Sequence, residues 1–162
     1  MLISKLGKEV SALTGKPSST DFLNSIGANN IIMRDEYLES PAKAMERPLF
    51  SSAIDTVGGN VLSKMLPQIS PHGVVACCGN VAGIEVNTTV FPFILRGITL
   101  AGIDSAESPI EFKTSIWNKF ADEWKLDLSS MIKVVSKESL QQEIDLILEG
   151  GQQGRVVLQH GE

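Results

Sequence analysis

Three consecutive residues offer the clearest chemistry in this sequence: Thr14, Gly15 and Lys16. They supply a hydroxyl, a glycine and a cation just after Glu9 to Leu13, a stretch that reads as a short buried strand. In a dinucleotide-binding βαβ fold, the loop after the second strand meets the adenosine ribose, and an acidic residue there binds the 2′-OH of NAD. A hydroxyl beside a cation suits a 2′-phosphate instead, because charge-assisted hydrogen bonds to phosphate are strong. The expected cofactor is therefore NADPH. The same three residues also read as an ordinary glycine turn closing a strand.

The surrounding elements weigh on that choice. Leu2 to Leu6 reads as a helix closed by Gly7, and Ser19-Thr20-Asp21 opens a second, with Phe22, Leu23 and Ile26 on its apolar face. Asn30 to Met33 is a strand, and Pro41 and Pro48 bracket a polar connection. Phe50 to Val57 is a buried strand closed by Gly58-Gly59, followed by helical spacing at Val61, Leu62, Met65 and Leu66. Pro71-His72-Gly73 reads as a turn, and Val74 to Cys78 as a strand ending in Gly79-Asn80. A short helical segment from Thr88 to Leu95 precedes a strand from Ile98 to Ile103.

Ser108-Pro109-Ile110-Glu111 opens a helix in which Ser108 caps and Phe112, Ile116, Phe120 and Trp124 form a buried stripe. Met131 to Val135, a helix capped by Ser136 with Leu140, Ile144, Ile147 and Leu148 on one face, and a last strand from Val156 to Gln159 complete the chain. Short apolar strands alternating with helices predict an α/β fold, a parallel sheet with helices on both faces. Ligands in such sheets bind beyond the carboxyl ends of the strands. Those ends carry Thr-Gly, Val-Gly-Gly and Cys-Gly-Asn.

Composition narrows the classes. At 162 residues, 43% hydrophobic, the chain is long enough for a core. A net charge of −5 argues against a nucleic-acid partner, which needs a basic stripe, and against an anionic membrane surface. No apolar run approaches the ~18 residues of a membrane span. The two cysteines, Cys77 and Cys78, are adjacent, which is neither a disulfide framework nor metal-ligand spacing, and a reducing, cytoplasmic location fits them. His72 and His160 stand far from each other in sequence with no cysteine cluster beside them, so no metal site is expected.

The order of motifs resembles one family. SKLGKEVSALTGK, SIGA, AIDTVGGNVLSKML, ACCGN, TTVFPFILRGITLAGIDS and GRVVLQ follow one another as in the medium-chain dehydrogenase/reductase superfamily, in its quinone oxidoreductase-like and acryloyl-coenzyme A reductase branch. FPFILRGITLAGIDS is the most specific match. The resemblance covers essentially the whole chain and places it in the C-terminal half of such an enzyme. It implies an incomplete Rossmann-like sheet lacking the first strand and its Gly-rich loop over residues 1–130, then a strand-helix-strand over 131–162 that returns to the catalytic domain. Without a central first strand, its two neighbours lose a partner and expose an apolar edge, which predicts marginal stability, strand swapping or aggregation.

The resemblance also implies roles. Thr14, Gly15 and Lys16 match the 2′-phosphate loop, with lysine where many relatives carry arginine. Asp55, Thr56 and Val57 border the cofactor ribose, or else satisfy loop backbone. Cys78, Gly79 and Asn80 face the nicotinamide side, with Cys78 read as a small buried side chain rather than a nucleophile. Ile103, Asp104 and Ser105 lie along the cofactor. Arg155 reaches it from the returning segment, or else is a solvated surface arginine. Pairing of the Ile98 to Ile103 strand across a two-fold axis would give a homodimer. The implied reaction is hydride transfer from NADPH to an activated alkene such as acryloyl-coenzyme A, an enone or a quinone, without zinc. No catalytic acid stands out. A non-catalytic nucleotide-binding domain with the same motifs is the alternative.

Overall fold

The computed structural model describes residues 1–160. The chain forms two compact units, one from Met1–Ile32 together with the chain from Thr114 onward, the other Met33–Lys113. Seven strands and seven α-helices follow one another among the described residues.

The Met33–Lys113 unit holds the principal sheet, three parallel strands in the order β3-β4-β5: β3 (Phe50–Asp55), β4 (Ile69–Cys77) and β5 (Thr99–Gly102). Helices α3 (Arg34–Leu38), α4 (Gly59–Met65) and α5 (Phe91–Arg96) connect and cover it. Leu62 and Leu66, one turn apart on and just after α4, pack with Ile69, Val75 and Ile98 into a fully buried cluster. Phe50, Ala53, Met65, Phe93 and Leu100 close around it. Each of the five fully buried side chains stabilises the fold by about 1.5–3 kcal/mol.

In the other unit, β1 (Ser11–Thr14) and β2 (Asn30–Met33) form a two-stranded sheet, with α1 (Leu2–Lys5) and α2 (Thr20–Ser25) beside them in sequence. β6 (Ile132–Val135) and β7 (Arg155–Leu158) pair in parallel, joined by α7 (Leu140–Leu148). α6 (Ile110–Ala121) precedes them. The α/β class and its parallel strands hold. The sheet is in separate pieces: β1-β2 and β3-β4-β5. In the doubly wound order 3-2-1-4-5-6 these correspond to 3-2 and 4-5-6. β3 pairs on one side only, and its Ile54 is 65% exposed.

Several expectations are corrected. The Pro71-His72-Gly73 turn lies inside β4 as a bulge: Phe50 pairs with Ile69 but Ser52 pairs with Val74. Proline cannot donate to the ladder, His72 takes φ +62, and a Cβ on Gly73 would sit 2.3 Å from the Ser51 carbonyl oxygen. β1 runs from Ser11 to Thr14 rather than from Glu9 to Leu13; before it, the Val10 amide donates to the Asn29 side-chain oxygen at 2.8 Å instead of to a strand partner. β4 stops at Cys77, not Cys78.

The aromatic stripe of α6 is not buried. No residue of that helix is, and Phe112 is 59% exposed. Its rings meet each other instead, Trp117 to Phe120 at 6.1 Å and Phe120 edge-on to Trp124 at 5.6 Å, with the Lys119 ammonium over Trp124. The Ser108 hydroxyl donates to the Asp104 carbonyl at 2.7 Å, which ties it to the preceding loop.

Candidate functional site

The carboxyl ends of β3, β4 and β5 are stitched together by backbone. The Cys78 amide donates to the Asp55 carbonyl at 2.9 Å, the Ala82 amide to Val57 at 2.7 Å, and the Ile103 amide to Cys77 at 2.9 Å. Asp55 is buried at the end of β3. Its carboxylate accepts the Gly58 amide, 3.0 Å from Oδ2, and so fixes the turn into α4. Gly58 needs that support, with φ +68 and a Cβ position only 2.6 Å from the Gly83 carbonyl oxygen. The Asp55 carboxylate therefore acts on loop backbone in this structure. Thr56 is exposed and Val57 half-buried beside it.

A cavity of about 550 Å³ opens at the ends of β4 and β5, lined by Cys77, Cys78, Gly79, Asn80, Gly102, Ile103 and Asp104. Four of the expected residues, Cys78, Gly79, Asn80 and Ile103, are thus brought together with Asp104. Ser105 is exposed next to them but is not among the lining residues. Asp104 Oδ1 accepts the Ala106 and Glu107 amides, both at 3.1 Å, and shapes the loop after β5. Cys77 and Gly102 also line the cavity and were not singled out from sequence; each is one residue before a predicted site residue, a one-place shift of the strand end.

Cys78 is exposed rather than buried, a correction that follows from β4 ending one residue earlier. Burial, and then the Asp55 carboxylate 3.4 Å from its sulfur, hold the Cys77 thiol above the ordinary range. Reactivity follows the thiolate and its exposure. Iodoacetamide at pH 8 should therefore label Cys78 several-fold faster than Cys77, read by peptide mass spectrometry. Faster labelling of Cys77 would contradict the burial described.

The Thr14-Gly15-Lys16 group lies in the other unit, at the end of β1. Thr14 Oγ1 accepts the Lys16 amide at 3.1 Å, turning the loop back on itself. The Lys16 ammonium donates to the Gln152 carbonyl at 2.9 Å. Arg155 opens β7 in the same unit. It is exposed, and its guanidinium donates to the Gly154 carbonyl at 3.0 Å. Among the described residues no group of three or more His, Cys, Asp or Glu could hold a metal ion, and no helix is long and apolar enough to cross a membrane.

No family model matches the chain. The acrylyl-CoA reductase AcuI of Ruegeria pomeroyi is 37% identical over 158 residues, covering 97% of this chain and 48% of the relative. The YhdH oxidoreductase of Salmonella enterica, solved in complex with NADP, superposes with a TM-score of 0.88 at 34% identity, over 99% of this chain and 49% of its own. YhfP of Bacillus subtilis, solved with NAD bound, gives 0.91 at 35% identity, over 98% and 49%. The chain is a homologue of the quinone oxidoreductase-like and acrylyl-CoA reductase proteins of the medium-chain dehydrogenase/reductase superfamily.

The chain spans about half the length of the curated relatives it matches, and its fold is that of the C-terminal cofactor-binding half of these oxidoreductases. The glycines at the strand ends differ in what they leave open. Gly102 leaves the end of β5 open, since a Cβ there would meet nothing within 4 Å, whereas Gly79 is required by the fold. Gly79 approaches Thr56 so closely that a Cβ would meet its carbonyl oxygen at 1.9 Å. At Gly102 the bare backbone leaves room for a flat group to approach.

Proposed function

We propose that this chain is the cofactor-binding part of an NADPH-dependent oxidoreductase that reduces an activated alkene, acryloyl-coenzyme A, an enone or a quinone, by hydride transfer. The observation that carries the reading is 37% identity to an acrylyl-CoA reductase across 97% of the chain. When bound, NADPH supplies the hydride. The residues of this chain bind and orient it. Lys16 and Thr14 meet the 2′-phosphate with Gly15 between them, and Asp55 with Thr56 and Val57 maintains the loop beside the ribose. Cys78, Gly79, Asn80 and Ile103 border the cavity, Ser105 follows in the loop after β5, and Arg155 adds a cation from β7. A second copy would pair along the outer edge of β5, which has a partner on one side only.

Calorimetric titration with NADPH and NADH tests the cofactor. NADPH should bind more tightly by roughly 10- to 100-fold, the worth of about 1.5–3 kcal/mol for hydrogen bonds to a charged group. Lys16→Ala should bring the two cofactors level. Equal binding by the unaltered chain would remove the 2′-phosphate assignment. Binding without turnover is the second reading, favoured by the cavity lining: its ionisable side chains are Cys77, Cys78 and Asp104, and burial pushes the Cys77 thiol up. Oxidation of NADPH in the presence of acryloyl-coenzyme A separates the two.

A further inference from the structure

The Lys16 loop is built from two places in the chain. Residues 14–19 supply the hydroxyl, the cation and a 3₁₀ turn, Pro17–Ser19. The segment Gln152–Gln153 supplies what holds them. The Gln152 carbonyl accepts the Lys16 ammonium from 136 residues away. The Gln153 amide Nε2 donates twice, to the Ser18 carbonyl at 3.0 Å and to Ser19 Oγ at 3.1 Å. Ser19 is buried, 6% exposed, so this contact anchors the segment to a fixed point. On its other side the segment is held at Gly154, whose φ is +69 and whose Cβ would meet the Met131 carbonyl oxygen at 2.4 Å.

We propose that Gln153 is a positioning residue for cofactor discrimination: it clamps residues 152–153 onto Ser18 and Ser19, and so aims the Lys16 ammonium through the Gln152 carbonyl. The proposal rests on the 2′-phosphate reading of Lys16. Lysine carries a flexible four-carbon stem, and its ammonium has three donors. One is given to Gln152, which leaves two for an anion. The partner is a neutral carbonyl, so the cation is steered without being neutralised. Lys16 takes part in no ion pair among the described residues. Fixing a flexible side chain before the ligand arrives lowers the entropy lost on binding. The benefit falls on the ligand that uses the cation and not on one that lacks the phosphate.

The test is calorimetry on the full chain with adenosine 2′,5′-bisphosphate and 5′-AMP as probes, together with the melting temperature. Gln153→Met keeps the length and removes both donors. It should weaken bisphosphate binding about 5- to 10-fold while 5′-AMP and the melting temperature stay as in the unaltered chain. Ser19→Ala, which removes one of the two acceptors of the Gln153 amide, should shift binding the same way by less. Lys16→Ala separates the two layers. If Lys16→Ala abolishes discrimination while Gln153→Met and Ser19→Ala retain it, the positioning role is overturned and the phosphate loop stands. If Lys16→Ala changes nothing, or the unaltered chain does not bind the bisphosphate, the phosphate loop is overturned and the clamp with it. An equal loss on both probes makes Gln153 a structural residue and overturns the proposal.

Discussion

Replacing Gly79 by alanine destabilises the three-stranded unit by about 1–3 kcal/mol, the range for forcing a side chain where none fits. The added carbon would lie 1.9 Å from the Thr56 carbonyl oxygen and 2.5 Å from its carbonyl carbon. Both are backbone atoms, so no rotamer change relieves the clash. The ends of β3 and β4 must part instead. That strains the adjacent Cys78-to-Asp55 and Ala82-to-Val57 hydrogen bonds, which hold the same strand ends together. The cavity beyond β4 and β5 shares these residues, so cofactor affinity should fall with stability. Gly102→Ala is the control. It stands one strand over in the same cavity, and its Cβ would meet nothing within 4 Å. Its effect should lie within about 0.5 kcal/mol. Urea unfolding of both variants decides the matter: equal losses would show that close approach at Thr56 is not what requires glycine.

Glycine at residue 79 was legible in the sequence, and so was the strand that leads to it. Its reason was not. A Gly-Asn after an apolar run signals a strand end, but the Thr56 carbonyl that forbids a Cβ lies 23 residues earlier in the chain. The bulge in β4 is similar. Pro71-His72-Gly73 carries turn chemistry, and the structure uses it, yet only pairing with β3 shows that the strand continues through the turn. Gln153 carried no local signal at all, because its partners are more than 130 residues away.

Asp55 was readable as a ligand or as a support for loop backbone, and the structure shows its carboxylate accepting the Gly58 amide. The 3.6-residue period of α6 and α7 marks a helix in both, but in α6 it does not mark a buried stripe. Periodicity tells which face can be buried. What covers that face is a property of the tertiary partners, and periodicity does not report it.

That distinction sets the second expected result. Leu62→Ala on α4 costs about 2–5 kcal/mol, whereas Ile147→Ala on α7 costs under about 1 kcal/mol. Both positions sit in apolar helical patterns that look alike in sequence. Leu62 is 1% exposed and packs in a closed cluster with Leu66, Ile69, Val75 and Ile98, so truncation leaves a cavity that its neighbours cannot fill without moving. Ile147 is 47% exposed, and beside it Leu148 is 80% exposed. Truncation there removes little buried area, and alanine's higher helix propensity offsets part of the loss. Urea denaturation of the two variants at the same protein concentration measures the contrast. Comparable losses would mean that the α7 face is covered in solution, and repeating the Ile147→Ala measurement across protein concentrations would then show whether another copy covers it, because a self-associated state gains stability with concentration.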